Sequence, residues 1–292
     1  MVTTAIASAM LLVYGRSAYA GTCTETPAAS GVWICSGAAG ADSTQFPIGS
    51  PVTVTTTPGF GINTPAGSAL VIRGNGGTTF TDNNASVITG ADRGLYSANN
   101  VSGDLTVTTN GIITGTSNIG IDARNFGTGD TTVTTTGSVT GLGFSGIYAR
   151  NAATANDLTV NVVNATGGAN GVLVNNYGNG ETTITATGTI TGTGVAGNNG
   201  LIIQNFASST NATITASGNV TGGQDGIWIT NDGSGTTSIT STVSATGILN
   251  NGIYARATGT DITIEANNAS GGTNGIFARN LGAGETSVTA TG

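Results

Sequence analysis

Three sets of residues in this sequence have types and spacings that could do chemistry. Tyr96, Tyr148, Trp228, Tyr254 and Phe277 each stand two residues after a glycine, and Arg124, Arg150, Arg256 and Arg279 each stand four residues after one. An outward stripe of rings and guanidinium groups suits contact with a protein or glycan surface, or a self-stacking ladder that stiffens the fold. Asp104, Asp130, Asp157, Glu181, Asp261 and Glu285 form an acidic column. Such a column could share bridging Ca²⁺. The Gly-Gly-x-Gly-x-Asp nonapeptide of repeat calcium sites is missing, so these are read as exposed turn carboxylates and no metal is expected. Outward Thr pairs, such as Thr106/Thr108, Thr132/Thr134, Thr183/Thr185 and Thr213/Thr215, form an array interrupted by Asn161, Ser238 and Glu265. That array is similar to an ice-binding face, although Thr is also an ordinary exposed strand residue.

Catalysis has little to work with. A polysaccharide lyase or glycosidase needs paired carboxylates, or Ca²⁺ with a base, in a groove. Asp122, expected near Arg124 and Arg150, is the nearest approach, and no long insertion builds a cleft around it. No catalytic residue and no cofactor are assigned. Composition agrees. All seven basic residues are arginine, histidine is absent, and the formal net charge is −7. Nucleic acid is therefore not a partner, and the usual Lys and His bases and Schiff-base residues are lacking. Glycine accounts for 49 of 292 residues without a three-residue period, which excludes collagen.

Stepping outward from these groups, the elements that position them are short repeats. A glycine followed by an aliphatic residue recurs at Gly94, Gly120, Gly146, Gly171, Gly200, Gly226, Gly252 and Gly275, a mean spacing of about 26. Each period holds three strand-like pieces: Gly146-Ile147-Tyr148-Ala149-Arg150-Asn151, an acidic residue with a Thr/Val run such as Asp130-Thr131-Thr132-Val133-Thr134, and a short piece such as Gly137-Ser138-Val139-Thr140-Gly141. Period-two alternation turns three columns inward. The first runs from Leu95 through Ile121, Ile147, Val172, Leu201, Ile227 and Ile253 to Ile276. The second contains Ala123, Ala149, Val174, Ile203 and Ile229. The third contains Val107, Val133, Val160, Ile184, Ile214, Ile239, Ile264 and Val288. The pattern predicts an all-β parallel β-helix, or β-solenoid, with three strands and about 26 residues per coil.

Five residues after the glycine lies Asn99, Asn125, Asn151, Asn176, Asn205, Asn231 or Asn280, with only Ala257 breaking the column. Amides stacked ~4.8 Å apart can hydrogen-bond up and down as a ladder. Cys23 and Cys35 are expected to form a disulfide. Residues 1–20 read as an export signal with Ala18 and Ala20 at the cleavage site. The expected organisation is a signal over 1–20, a disulfide-bonded cap with irregular coils over 21–90, and regular coils over 91–292. The last coil breaks off after Gly292, as in a fragment of a longer solenoid.

The signal, the early Cys23 … Cys35-Ser36-Gly37 segment and the Gly-Ile-Tyr-Ala-Arg-Asn and Gly-x-Gly-Asp/Glu-Thr-Thr-Val repeats resemble passenger domains of bacterial autotransporters, the type V secretion proteins with an outer-membrane β-barrel. The resemblance covers nearly the whole chain. It implies a right-handed β-helix displayed outside a Gram-negative cell or secreted from it. It also implies an adhesive or stalk role, host or environmental surface proteins and glycans as partners, and the protein's own C-terminal barrel. Signature strands of that barrel are absent from these residues.

Overall fold

The structure, a computed structural model, describes residues 21–292 apart from 42, 47, 49, 50, 195 and 196. The signal segment, with Ala18 and Ala20, lies outside the described residues. Everything regular in those residues is strand: 25 strands join one sheet that winds as a β-solenoid of about nine turns, ~26 residues each. Thr, Val and Ile supply the strands because branched side chains fit a pleated surface.

Each strand pairs in parallel with its counterpart one coil on. Ile121 lies against Ile147, Val133 against Val160, and Val139 against Ala165. The inward columns meet along the axis. Leu95, Ile121, Ile147, Val172, Leu201, Ile227 and Ile253 are all fully buried, as are Val107, Val133, Val160, Ile184, Ile214, Ile239 and Ile264. They belong to one continuous cluster. Burying an aliphatic side chain contributes roughly 1.5–3 kcal/mol, and here each coil supplies it to both neighbours. In the last coil, covered on one side only, Ile276 and Ala278 are partly buried and Val288 is 45% exposed.

The segment expected to hold irregular coils joins the same stack, with register shifts around Gly74–Thr78. Residues 52–90 already lie in register with later coils: Leu70 pairs with Leu95, Thr78 with Leu105, and Val87 with Ile112. Before them, Thr22–Glu25 and Val32–Ser36 form the one antiparallel pair among the described residues. Cys23 and Cys35 face each other in that pair and are disulfide-bonded. Val32–Ser36 then pairs in parallel with Val52–Thr56, which welds the cap to the first coil.

The repeat glycine is required by close approach rather than by its own backbone angles. A Cβ on Gly120 would stand 2.6 Å from the Gly146 carbonyl oxygen, and one on Gly146 would stand 2.7 Å from that of Gly171. Repeat-glycine carbonyls accept from the inward strand of the preceding coil, as Gly120 O does from Leu95 N at 2.9 Å. A side chain there would separate the coils.

The Asn column is in register and buried from Asn99 to Asn231, but it is not mainly an amide ladder. Only Asn99 donates to the next amide, Nδ2 to Asn125 Oδ1 at 3.1 Å. Elsewhere Nδ2 staples its own corner. Asn125 donates to Gly129 O at 2.9 Å, Asn151 to Asn156 O at 2.9 Å and Asn205 to Asn211 O at 2.8 Å. Asn176 and Asn231 do the same to Gly180 O and Thr236 O. The oxygen accepts the backbone N–H two residues on, as from Gly127, Gly178 and Gly233. The bend carries orphan carbonyls and N–H groups within reach, and a buried backbone group without a partner is costly. Asn280 also donates to Thr260 O at 2.7 Å, serving the corner of the coil that carries Ala257.

Candidate functional site

The Gly-aliphatic strands form one long face, and their outward columns carry the aromatic and arginine side chains. Tyr96, Asp122, Tyr148, Leu173, Ile202, Trp228, Tyr254 and Phe277 lie in register, coil on coil. Alternation along the strands predicts an exposed stripe. Tyr96, Tyr148, Trp228 and Tyr254 are half-buried and Asp122, Leu173 and Ile202 are buried, because each side chain lies on its neighbours along the axis, and Phe277 on the last coil is exposed.

The stripe divides into three stretches. In the first, Arg124 packs between the rings of Tyr96 and Tyr148, at 5.9 and 5.2 Å from their centroids. Arg73 and Arg93 also lie over Tyr96. In the second, Leu173 and Ile202 are short and apolar. In the third, Trp228, Tyr254 and Phe277 stack nearly parallel, with centroids 5.8 and 5.3 Å apart. Arg256 pairs with Asp232 at 2.9 Å, and Arg279 is exposed on the last coil.

Of the two arginines expected near Asp122, Arg124 pairs with it and Arg150 forms no ion pair with it. Arg124 forks it, Nε to Oδ1 at 2.7 Å and Nη2 to Oδ2 at 2.9 Å, and Arg93 Nε lies 2.8 Å from Oδ2. Burial pushes the Asp122 carboxyl above its ordinary value, and the two arginines pull against that. Burial works against the charge of Arg124, but the hydrogen bonds and charge of Asp122 outweigh it and hold the guanidinium above its ordinary value. This buried ion group braces the coils and presents no carboxylate to a substrate. Arg150 turns to the side instead, over Tyr177 at 4.9 Å and Phe126 at 5.9 Å. Tyr177 and Phe206 continue that flank as a stacked pair 3.9 Å apart. Phe126, Tyr177 and Phe206 lie outside the expected stripe, and their sequence signal is that each stands six residues after a repeat glycine.

The acidic column staples adjacent coils. Asp130 N donates to Asp104 Oδ1 at 2.9 Å, Glu181 N to Asp157 Oδ1 at 2.9 Å, and Glu285 N to Asp261 Oδ1 at 2.8 Å. Among the described residues, no group of three or more potential metal ligands gathers. The Thr rows are longer than the sequence reading had them. Thr53, Thr79, Thr106, Thr132 and Thr159 run in register, beside Thr55, Thr81, Thr108, Thr134 and Asn161. A hollow of about 460 Å³ lies on this face over the last coils. Its walls are Thr, Ser, Ala and Asn with one carboxylate, Glu265, and no ring.

A second polar column runs up the corner just before the repeat glycines. Asn199 N donates to Asn170 Oδ1 at 3.0 Å, Asp225 N to Asn199 Oδ1 at 2.9 Å, and Asn251 N to Asp225 Oδ1 at 3.0 Å. Where this corner meets the aliphatic stretch, a cleft of about 290 Å³ opens between Asn199, Ile202, Gln204, Gln224, Asp225 and Trp228. Its one sequence signal is the longest repeat, 29 residues from Gly171 to Gly200.

No protein-family model, curated protein or solved structure matches this chain. The geometry therefore carries the functional reading.

Proposed function

We propose that this chain is the exported passenger of an autotransporter, displayed at the surface of a Gram-negative cell as a rigid stalk with an adhesive face. The observation that carries the reading is the aromatic and arginine face itself. It runs along a solenoid whose core continues in register through about nine turns. A stack of this kind holds its outward side chains at fixed intervals, and rings and arginines are the residues that dominate recognition surfaces. Its partners are surface proteins or glycans of a host or the environment, and a barrel of its own anchors it in the full-length protein.

The disulfide supports export, since such bonds persist in oxidising compartments. The sequence resemblance supports the autotransporter class. The test is to replace Tyr148, Trp228 and Tyr254 together with Ser and measure attachment of protein-coated beads to cells and glycan surfaces. Reduced attachment with an unchanged β-sheet circular dichroism spectrum is expected. Unchanged attachment by the folded variant would remove the adhesive role.

A further inference from the structure

The corner column that includes Asp225 does its structural work with amides. Asn170 and Asn199 accept the next coil's backbone N–H through Oδ1, as Asp225 does, and Asn251 Oδ1 accepts from the Asn274 amide. Asp225 is the one carboxylate among them. It is 1% exposed, and no arginine pairs with it among the described residues. A buried carboxylate without a cation is costly where an isosteric amide would serve. Its Oδ1 takes all three of its hydrogen bonds among the described residues, from Asn251 N, Asn251 Nδ2 and Asn250 Nδ2. The ladder therefore explains one oxygen and leaves the charge unexplained.

The surroundings supply an explanation. Asp225 lines the 290 Å³ cleft together with Trp228, Ile202, Gln204, Gln224 and Asn199. Trp228 stacks on Tyr254 on one side, while its neighbour on the other side is Ile202. Ile202 is shorter than the rings elsewhere in the column, so space remains against the indole. The cleft thus has an aromatic and aliphatic wall together with three primary amides and a carboxylate. It lies at the lower edge of the roughly 300–1,000 Å³ of ligand pockets, room for one ring rather than a large ligand.

We propose that this cleft is a subsite for one pyranose ring of a neutral glycan. The indole of Trp228 and Ile202 take the C–H face of the sugar. Asp225, Gln204 and Gln224 take its hydroxyls. Hydrogen bonds to an ionised acceptor are roughly twice as strong as neutral ones, which is what the charge at Asp225 adds over an Asn. The same charge repels acidic sugars. This rests on the adhesive reading above and names the ligand class for one part of that face.

The test uses the mature exported protein and titration calorimetry. The probes are hexamers of β-linked glucose, N-acetylglucosamine, glucosamine and galacturonate. The account expects at least one of the two neutral hexamers to bind and galacturonate to bind more weakly. Asp225→Asn keeps the ladder and removes a buried charge, so its melting temperature should not fall while affinity for the neutral hexamer falls about tenfold. Trp228→Ala should lose that binding. The proposal is overturned if neither neutral hexamer binds, if Asp225→Asn binds as well as wild type, or if only glucosamine binds, which would mean capture of an ammonium group. The two readings separate cleanly. If Asp225→Asn keeps hexamer binding while the triple Ser variant loses attachment, the subsite falls and the adhesive face stands. If Asp225→Asn loses hexamer binding while the triple Ser variant attaches normally, the subsite stands and the adhesive role falls.

Discussion

Arg124 grips the buried carboxylate of Asp122 with two hydrogen bonds, Nε to Oδ1 at 2.7 Å and Nη2 to Oδ2 at 2.9 Å. Asp122 occupies a column that carries rings in the coils on either side, Tyr96 and Tyr148. A charged residue stacked in such a column must bring its counter-charge with it, and Arg124 and Arg93 supply it from the same coil and the coil before.

The titration of Asp122 follows from this burial. Its carboxyl is raised above the 3.8 of an exposed Asp, chiefly by burial, with the arginines opposing. The folded protein therefore holds that proton more tightly than the unfolded chain. The stability this contributes is fully present below pH 3.8 and is lost as pH rises through the raised folded value. Melting temperatures of wild type and Asp122→Asn, taken between pH 3 and 7, should show wild type losing ground to the variant as pH rises. A difference that grows in favour of wild type over that range would contradict the assignment.

Gly146→Ala should be costly although it adds one methyl group. The new Cβ would lie 2.7 Å from Gly171 O and 2.9 Å from Thr166 O, both backbone atoms that cannot swing aside. The expected loss is about 1–3 kcal/mol by chemical denaturation, typical of overpacking in a close-packed interior. An unchanged midpoint would mean the coils can separate freely.

Asn151→Ala removes a staple with three bonds: Nδ2 to Asn156 O at 2.9 Å, Nδ2 to Asp157 O at 3.0 Å, and the Thr131 hydroxyl to Oδ1 at 2.5 Å. The buried Thr131 hydroxyl loses its acceptor and the part-buried carbonyls lose a donor. The expected cost is therefore about 1–3 kcal/mol for each group left unsatisfied, less whatever water at the corner recovers. Asn280→Ala, on the half-covered last coil, should cost less, since water can reach its partners. Equal costs at the two sites would argue against burial as the cause.

Reducing the disulfide should loosen the cap and leave the middle of the solenoid intact. A loop of this size contributes about 3 kcal/mol in the chain-entropy estimate. Nearest-neighbour stacking confines the effect. Hydrogen exchange should rise in Val32–Ser36 and Val52–Thr56 and stay slow around Val133 and Ile147. Collapse of protection along the whole chain would contradict a stack of local units.

The architecture was readable in the sequence because stacking forces repetition. Ile121, Ile147 and Val172 had to share a side, so period and register showed themselves in one dimension. Placement of the outward columns was less readable. Alternation says which way Asp122 points and not how deeply its neighbours bury it, so its pairing with Arg93, a residue from the coil before, was missed. The Asn column was legible as a column, yet its bonding was not: orphan carbonyls at Gly129 and Asn156 exist only once the corner is built. Asp225 was invisible for a related reason. Its meaning lies in being the one charge in a column of amides, and that column appears only when Asn170, Asn199 and Asn251 are brought together.

Surface display is the claim on which the proposed function turns. It is tested most directly by labelling intact cells of the producing bacterium with an antibody raised against residues 21–292, beside permeabilised cells as the reference. Intact cells should label as strongly as permeabilised ones, and external protease should remove the signal. Labelling that appears only after permeabilisation would place the chain inside the cell and contradict the account.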